Sequence, residues 1–236
     1  MLPDDHPFWS AKAQPMPELK EQLALPCADM LIRRYENHTT AYVPGRYSPA
    51  GHGQTPAKYG KFAYDTGFAF NVAKSSCELH EAAPDSMLAF LVNGYVYVRR
   101  ICDKFHVSET DVTSEWRPYE GISVETVIVP TRHGHIRKHI IESDRECEAC
   151  DCGFAVEIDV PGEKLAEEDN KAWVENGYSI CQVIAVQGDG RGEIIIADTN
   201  TNLLHPMTRI PAVRYRIHKG RNEIVTEVKA GYHHTW

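Results

Sequence analysis

The sequence predicts an all-β protein, built as a large antiparallel β-sandwich that follows a proline-rich arm. Two observations carry this prediction: short segments rich in β-branched and aromatic residues are separated by turn signals, and no helical periodicity lies between them. The 236 residues can form one large domain or two small ones. We expect an arm or linker over residues 1–26 and a single sandwich domain over residues 27–236.

The predicted arm is defined by its prolines. Each proline removes a backbone donor, and this disfavours a long helix or a central strand. A short helix over residues 18–23 is the one regular element expected here, with Phe8 and Trp9 as an apolar anchor. The prolines concerned are Pro3, Pro7, Pro15, Pro17 and Pro26.

The strand signals begin with a hairpin at residues 87–101. The run MLAFL precedes Asn93-Gly94, a pair typical of two-residue hairpin turns, and YVYVRRI follows it. The next predicted pair is SVETVIV at 123–129 and HIRKHII at 135–141, separated by a break at PTRHG. Further strands are expected at 153–158, 179–187, 193–197, 211–217 and 222–228, with turns at 188–190 and 219–222.

Composition excludes several classes of partner and site. The net charge of −8, with no basic cluster longer than Arg33-Arg34 or Arg99-Arg100, argues against nucleic acid. No segment approaches the roughly 20 apolar residues that span a bilayer, and the acidic, proline-rich start does not resemble a signal peptide. Seven cysteines, an odd number, fit reduced thiols in the cytoplasm. The sequence has no GxGxxG, P-loop, HExxH or GxSxG motif, and we expect no cofactor.

Six local signatures occur in a characteristic order: LPDDHPFW at 2–9, PAKYGKFAYDTGFAFNV at 56–72, DSMLAF at 85–90, EWRP at 115–118, VETVIVP at 124–130 and HIRKHIIESDR at 135–145. Together they resemble the C-terminal half of the bacterial and fungal family called domain of unknown function 2264. Members of that family are similar to heparinase-type polysaccharide lyases, and a glycoside hydrolase branch has glucuronidase activity. The resemblance implies a supersandwich-like C-terminal domain and an N-terminal (α/α) toroid that carries most of the acid–base residues.

The resemblance also implies what this chain lacks and what it does. LPDDHPFW lies just after the last toroid helix in the family and directly after Met1 here, so we expect the toroid to be absent. The expected function is a stand-alone sandwich domain, not catalytic by itself, that packs on a helical toroid partner and could line a cleft for uronic-acid sugars. A second copy of the chain could instead cover the exposed interface. Two departures from the family are Gly134, where an aromatic residue is usual, and the cysteines at 147, 150 and 152.

Two other functions remain open. The chain could be an autonomous glycosidase or lyase for uronic-acid saccharides, acting through His52, Lys58 and Tyr59. It could also be a carbohydrate-binding module, for which Trp116, Tyr119 or Trp173 would form an exposed stacking platform.

The first candidate site is the polar edge of the loop SPAGHGQTPAKYGK. Loops at the end of a rigid sandwich can project polar groups into a cleft. There a lysine could pair with a sugar carboxylate, and a histidine or tyrosine could transfer a proton. In the favoured interpretation the nearby aromatics pack in the core and the lysines are solvated or face the missing domain. The candidate substrate-binding residues are His52, Gln54, Lys58, Tyr59 and Lys61.

The second candidate site is the histidine-rich strand at 133–141. If the strand begins at His133, alternation places His133, His135, Arg137 and His139 on one face, with Ile136 and Ile140 on the other. Three histidines could hold zinc, but neighbours on one face of a strand lie almost 7 Å apart and cannot easily converge on one ion. We therefore expect a polar sheet face, able to contact sugar, and no metal.

The third candidate is the CxxCxC run of Cys147, Cys150 and Cys152. Cys181 and a histidine could complete four zinc ligands, but a run without a second matched pair is weak evidence for a metal. Buried thiols in a strand are the favoured interpretation.

Overall fold

The structure, a computed structural model, describes residues 20–28, 30–34, 39–42, 62–65, 88–98, 102–153, 156–157, 164–175, 179–196 and 208–232. Within these ranges the backbone forms eighteen strands and one short 3₁₀ helix, Pro26–Ala28. The strands are β1 Gln22–Leu25, β2 Met30–Arg34, β3 Thr39–Tyr42, β4 Phe62–Asp65, β5 Leu88–Val92, β6 Tyr95–Val98, β7 Cys102–Val107, β8 Val112–Tyr119, β9 Ile122–Pro130, β10 Gly134–Ser143, β11 Cys147–Cys152, β12 Val156–Glu157, β13 Lys164–Glu168, β14 Lys171–Glu175, β15 Ser179–Gln187, β16 Gly190–Ile196, β17 Thr208–Ile217 and β18 Gly220–Tyr232. The predicted all-β class is confirmed.

The strands form three sheets. The eight-stranded sheet has the order β13-β14-β15-β18-β10-β9-β8-β7, and all of its pairs are antiparallel. The six-stranded sheet has the order β12-β17-β11-β5-β6, and β16 also pairs with β17. A four-stranded sheet has the order β1-β2-β3-β4, with β3 and β4 parallel. No helix in the described part of the chain is long and apolar enough to cross a membrane.

The two larger sheets pack face to face and enclose the main core. Alternate residues of each strand face inward, as period-2 side-chain geometry requires. Trp116 of β8 meets Phe90 of β5 with their ring centroids 5.9 Å apart, in an edge-to-face arrangement. Val124 and Ile141 of the eight-stranded sheet and Tyr215 of the six-stranded sheet belong to the same buried cluster. This packing is the predicted antiparallel sandwich.

The four-stranded sheet packs on the same inner face of the eight-stranded sheet, beside the main core. Leu31 of β2 and Tyr42 of β3 form a second buried cluster with Val107, Val112 and Ile128. The strand β1 belongs to this sheet and pairs with β2, across the predicted boundary at residue 26. The short helix expected over residues 18–23 is wrong in its described part, because β1 begins at Gln22. Strand pairing with β2 supplies the hydrogen bonds that a helix would have made internally.

Two turn and strand positions depend on backbone geometry. Asn93 and Gly94 have φ values of 53° and 79°, which is the geometry of a type I′ hairpin turn and confirms the predicted turn. At the start of β10, a Cβ on Gly134 would lie 2.0 Å from the carbonyl oxygen of Val228. The neighbouring strand β18 therefore leaves no room for a side chain at this position.

Candidate functional site

The first predicted site cannot be located. His52, Gln54, Lys58, Tyr59 and Lys61 all lie outside the residues that the structure describes. The strand β4 begins at the next residue of the sequence. Substrate binding by this polar edge stays a prediction.

The second predicted site is placed in the interior of the sandwich. Strand alternation on β10 is as expected: His135, Arg137 and His139 share one face and are only 0%, 1% and 2% exposed. His133 precedes the strand, in the turn after β9. The polar face therefore points towards the other sheets and not to solvent.

Asp151 of β11 joins this face to the six-stranded sheet. Nη1 of Arg137 lies 2.8 Å from Oδ1 of Asp151 and also donates to the carbonyl oxygen of Cys152 at 2.6 Å. Nε2 of His139 lies 3.2 Å from Oδ2 of the same carboxylate. An ionised carboxylate can only accept hydrogen bonds, so Nε2 of His139 carries the proton.

Within the eight-stranded sheet, the network extends from β10 to Thr126 of the neighbouring strand β9. The hydroxyl of Thr126 lies 2.8 Å from Nδ1 of His139 and accepts a hydrogen bond from Nε1 of Trp116 at 3.0 Å. On the other side, the hydroxyl of Tyr42 lies 3.3 Å from Nδ1 of His135. The strand β10 thus makes buried polar contacts with strands of all three sheets.

The electrostatics of the network keep Asp151 ionised. Burial alone would raise the pKa of its carboxyl group, but the attraction of Arg137 and His139 outweighs burial, and the pKa lies below its usual value. Burial raises the pKa of the Tyr215 hydroxyl, and the nearby charge of Asp151 raises it further. The shifted pKa values of Asp151 and Tyr215 leave these two groups poorly placed to exchange protons near neutral pH. With almost no exposed surface, they could contact a saccharide only if the sheets separated.

The cysteine run is a strand, as the favoured interpretation predicted. Cys150 and Cys152 of β11 are buried, and so is Cys181 of β15, whereas Cys147 is partly exposed. Burial raises the pKa of the Cys150 thiol, which lies 3.6 Å from Oε2 of Glu193. Within the described ranges no three His, Cys, Asp or Glu side chains are grouped to hold a metal ion.

The proposed aromatic platform is wrong for Trp116, which is buried with 3% of its surface exposed. The other two aromatic rings are partly exposed and have a cation over the ring. Lys171 Nζ lies 5.2 Å from the ring centroid of Trp173, and the Arg145 guanidinium lies 5.0 Å from that of Tyr119. Trp116 packs in the core between the sheets, where its indole N–H donates a hydrogen bond to the buried hydroxyl of Thr126.

A polar cavity of about 300 Å³ lies on the outer face of the six-stranded sheet and was not predicted from the sequence. It is lined by Glu148, Asp189, Arg191, Arg214, Tyr215 and Arg216. In the strand register Arg191 of β16 lies opposite Arg214 of β17, and Glu148 of β11 lies opposite Arg216. The alternation of arginine with core residues in RYRI at 214–217 was a readable signal, but its neighbours on β11 and β16 are distant in sequence.

Comparison with solved structures identifies the fold. Heparan sulfate lyase HepC from Pedobacter heparinus has a TM-score of 0.56 at 9% identity, with 93% of this chain and 38% of that chain covered. 4-alpha-glucanotransferase from Thermococcus litoralis has a TM-score of 0.50 at 11% identity, with 89% and 40% covered. A heparinase III gene product has a TM-score of 0.50 at 8% identity, with 95% and 37% covered. The chain thus spans about two fifths of these proteins.

The comparison with protein families is more specific than the comparison with solved structures. No curated protein matches the chain significantly. The family described as the DUF2264 C-terminal domain matches residues 20–233, which is most of the chain and includes all three sheets. The chain therefore belongs to the DUF2264 C-terminal domain family.

Proposed function

We propose that this chain is the β-sandwich domain of a carbohydrate-active protein, and that it packs on a helical toroid domain and lines one wall of a cleft for uronic-acid saccharides. In this role it binds and positions the sugar, and its partner supplies the acid–base chemistry. The supporting observation is coverage: nearly the whole chain superposes on less than half of a heparan sulfate lyase, a heparinase III gene product and a glucanotransferase.

The chemistry of the described side chains supports binding over catalysis. Glycosidases place two carboxyl groups across a sugar at defined separation, and one of them must exchange a proton. In the buried network, Asp151 is held ionised by Arg137 and has no contact with solvent. The open cavity is lined by three guanidinium groups, which do not transfer protons at neutral pH, together with the carboxylates of Glu148 and Asp189. These arginines suit the recognition of an anionic sugar.

Reconstitution with a helical domain tests the proposal. The chain and the helical N-terminal half of a full-length family member would be purified separately, mixed and analysed by sedimentation velocity. Release of unsaturated uronide or of glucuronic acid would be measured for each part and for the mixture. We expect a one-to-one complex, and turnover only in the mixture.

Two outcomes would contradict this function. Turnover by the chain alone, lost on replacement of His52 or Lys58, would instead establish an autonomous enzyme. Self-association of the chain that excludes the helical half would show that a second copy covers the interface. The helical half alone and a heat-denatured chain serve as controls for background activity.

A further inference from the structure

We propose that the cavity on the outer face of the six-stranded sheet, called here the arginine pocket, binds the carboxylate or sulfate group of an acidic saccharide. The pocket is formed by Arg191, Arg214 and Arg216 with Glu148 and Asp189. That the ligand carries an oxyanion is inferred from the geometry of the pocket, whereas the inference that this group belongs to a sugar rests on the proposed function.

The strand register concentrates positive charge on one face. Arg191 and Arg214 lie directly opposite each other on the antiparallel pair β16–β17. Side chains in such positions share a face, with their Cβ atoms about 5 Å apart, and like charges there destabilise the pair. Arg216 lies two residues beyond Arg214 and therefore on the same face. Three guanidinium groups are thus brought together by pairing between strands.

Glu148 and Asp189 of the pocket lining offset part of this positive charge, but direct ion pairing is limited. Arg214 Nε lies 3.4 Å from Oε2 of Glu193, which forms an ion pair. For Arg191 and Arg216, no carboxylate in the described part of the chain lies at ion-pairing distance. Two guanidinium groups therefore keep their donors available to a ligand. An anion between them would replace repulsion with charge-assisted hydrogen bonds.

The size and lining of the pocket indicate the class of ligand. Its volume of about 300 Å³ is at the lower end of small-molecule sites, roughly 300–1,000 Å³. The planar fork of arginine matches the paired oxygens of a carboxylate or another oxyanion. The carboxylates of Glu148 and Asp189 can accept hydrogen bonds from the hydroxyl groups of a ligand. The same carboxylates would repel a polyanion that has no hydroxyl groups to donate. A short saccharide with one acidic group satisfies both kinds of lining.

Titration of the full chain with three disaccharides tests the pocket. One carries a uronic carboxylate, the second carries a sulfate but no carboxylate, and the third is neutral and of the same size. The affinity of each would be measured by isothermal titration calorimetry for the native chain and for Arg191→Gln and Arg216→Gln. We expect at least tenfold weaker binding of the acidic sugar in both variants.

Arg117→Gln is the matched control. Arg117 lies on β8 of the other large sheet, is exposed, and pairs with Asp103 at 3.3 Å. This variant loses the same charge as the pocket variants, so it should bind the acidic sugar like the native chain. Binding restricted to the uronic sugar would identify a carboxylate as the ligand group, and binding restricted to the sulfated sugar would identify a sulfate.

Several results would overturn the proposal. These are no binding of either acidic sugar, equal binding of the neutral sugar, or acidic-sugar binding that both pocket variants retain. A fall in melting temperature that accompanies lost binding in both variants would assign the arginines a structural role. Neutral-sugar binding unaffected by the variants would refute the pocket and leave the proposed function intact. Turnover by the chain alone would refute the proposed function and leave the pocket intact.

Discussion

Replacement of Asp151 by Asn should destabilise the protein strongly, because it breaks a buried ion pair while leaving one charge in place. Asp151 and Arg137 are 0% and 1% exposed, and their charged atoms lie 2.8 Å apart. Asn has nearly the same shape as Asp, so it creates no cavity. The cost therefore comes from the buried guanidinium of Arg137, which loses the opposite charge of Asp151.

The magnitude follows from the burial of both partners. Removal of one partner of a buried pair typically costs about 3–5 kcal/mol. The second carboxylate oxygen also faces Nε2 of His139 at 3.2 Å. The amide of Asn has one oxygen in place of two, so one of Arg137 and His139 would face its NH2 donor group. For a domain of 150–250 residues each kcal/mol shifts the melting temperature by about 2–4 °C. We therefore expect a fall of about 6–20 °C for Asp151→Asn.

Urea unfolding followed by near-ultraviolet circular dichroism would measure the effect. Glu115→Gln is the control, because it breaks the exposed pair with Lys104 at 2.9 Å and should leave stability close to that of the native chain. The double replacement of Arg137 by Met and Asp151 by Leu should be less destabilising than Asp151→Asn, since no charge is left buried. A loss below about 1 kcal/mol for Asp151→Asn would refute this reasoning.

Three further predictions concern acid, sterics and thiols. The pKa of the Asp151 carboxyl group is lower in the folded chain than in the unfolded chain. Ionised Asp151 therefore contributes fully to the free energy of unfolding above an ordinary carboxyl pKa of about 4, and this contribution is lost as the pH falls below that value. The stability difference between the native chain and Asp151→Asn should shrink by about 1.4 kcal/mol per pH unit below pH 4, and a constant difference in urea titrations from pH 6 to 3 would contradict this. Both Gly134 and Gly220 have a positive φ, which strains any substitution, but only at Gly134 would a Cβ also meet a backbone oxygen at 2.0 Å. Gly134→Ala should therefore lose more stability in urea than Gly220→Ala, and equal losses would refute the steric reason. Exposed Cys27 should react rapidly with a disulfide reagent, so Cys27→Ser should slow the reaction. Cys150→Ser should leave the rate unchanged, because the Cys150 thiol is buried and its pKa is raised; a slower reaction in this variant would contradict the prediction.

The central strands were predictable because their local pattern is strong. The hairpin β5–β6, the pair β9–β10 and the strand β15 all lie close to the bounds expected from alternation and turn residues. Each has β-branched or aromatic residues on its inner face, and several end at a glycine-containing turn. Such signals depend on neighbours in sequence, which a single chain reveals directly.

The strands that sequence reasoning missed are β1, β2 and β3 of the four-stranded sheet and several towards the edges of the eight-stranded sheet. The burial of β7 and β13 is low along most of their length, because an edge strand exposes much of its surface. Their residues are accordingly mixed and charged, as edge strands often are, and carry little alternation. β8 was hidden by Pro118 near its end, although its inner face includes Trp116. Pairing with neighbouring strands, not local preference, makes these segments β-structure.

The candidate site residues were likewise predictable only where the signal is local in sequence. Alternation placed His135, Arg137 and His139 on one face of a strand, and the structure has them so. It could not show that this face meets Asp151 of another sheet, because that carboxylate lies between two cysteines and shares no local pattern with β10. The polar face was therefore expected to contact sugar, whereas it is enclosed by the sandwich. The arginine pocket was missed for the same reason.

By itself, the sequence determined the all-β class, the family and the inward or outward alternation of the central strands. These features depend on period-2 patterning, turn residues and ordered local motifs, all of which are short-range properties. Only the tertiary structure decided which faces meet: it buried the β10 charges against Asp151 and opposed Arg191 to Arg214. Both arrangements join residues from strands far apart in the chain, and their energies depend on distance and burial that no linear pattern specifies.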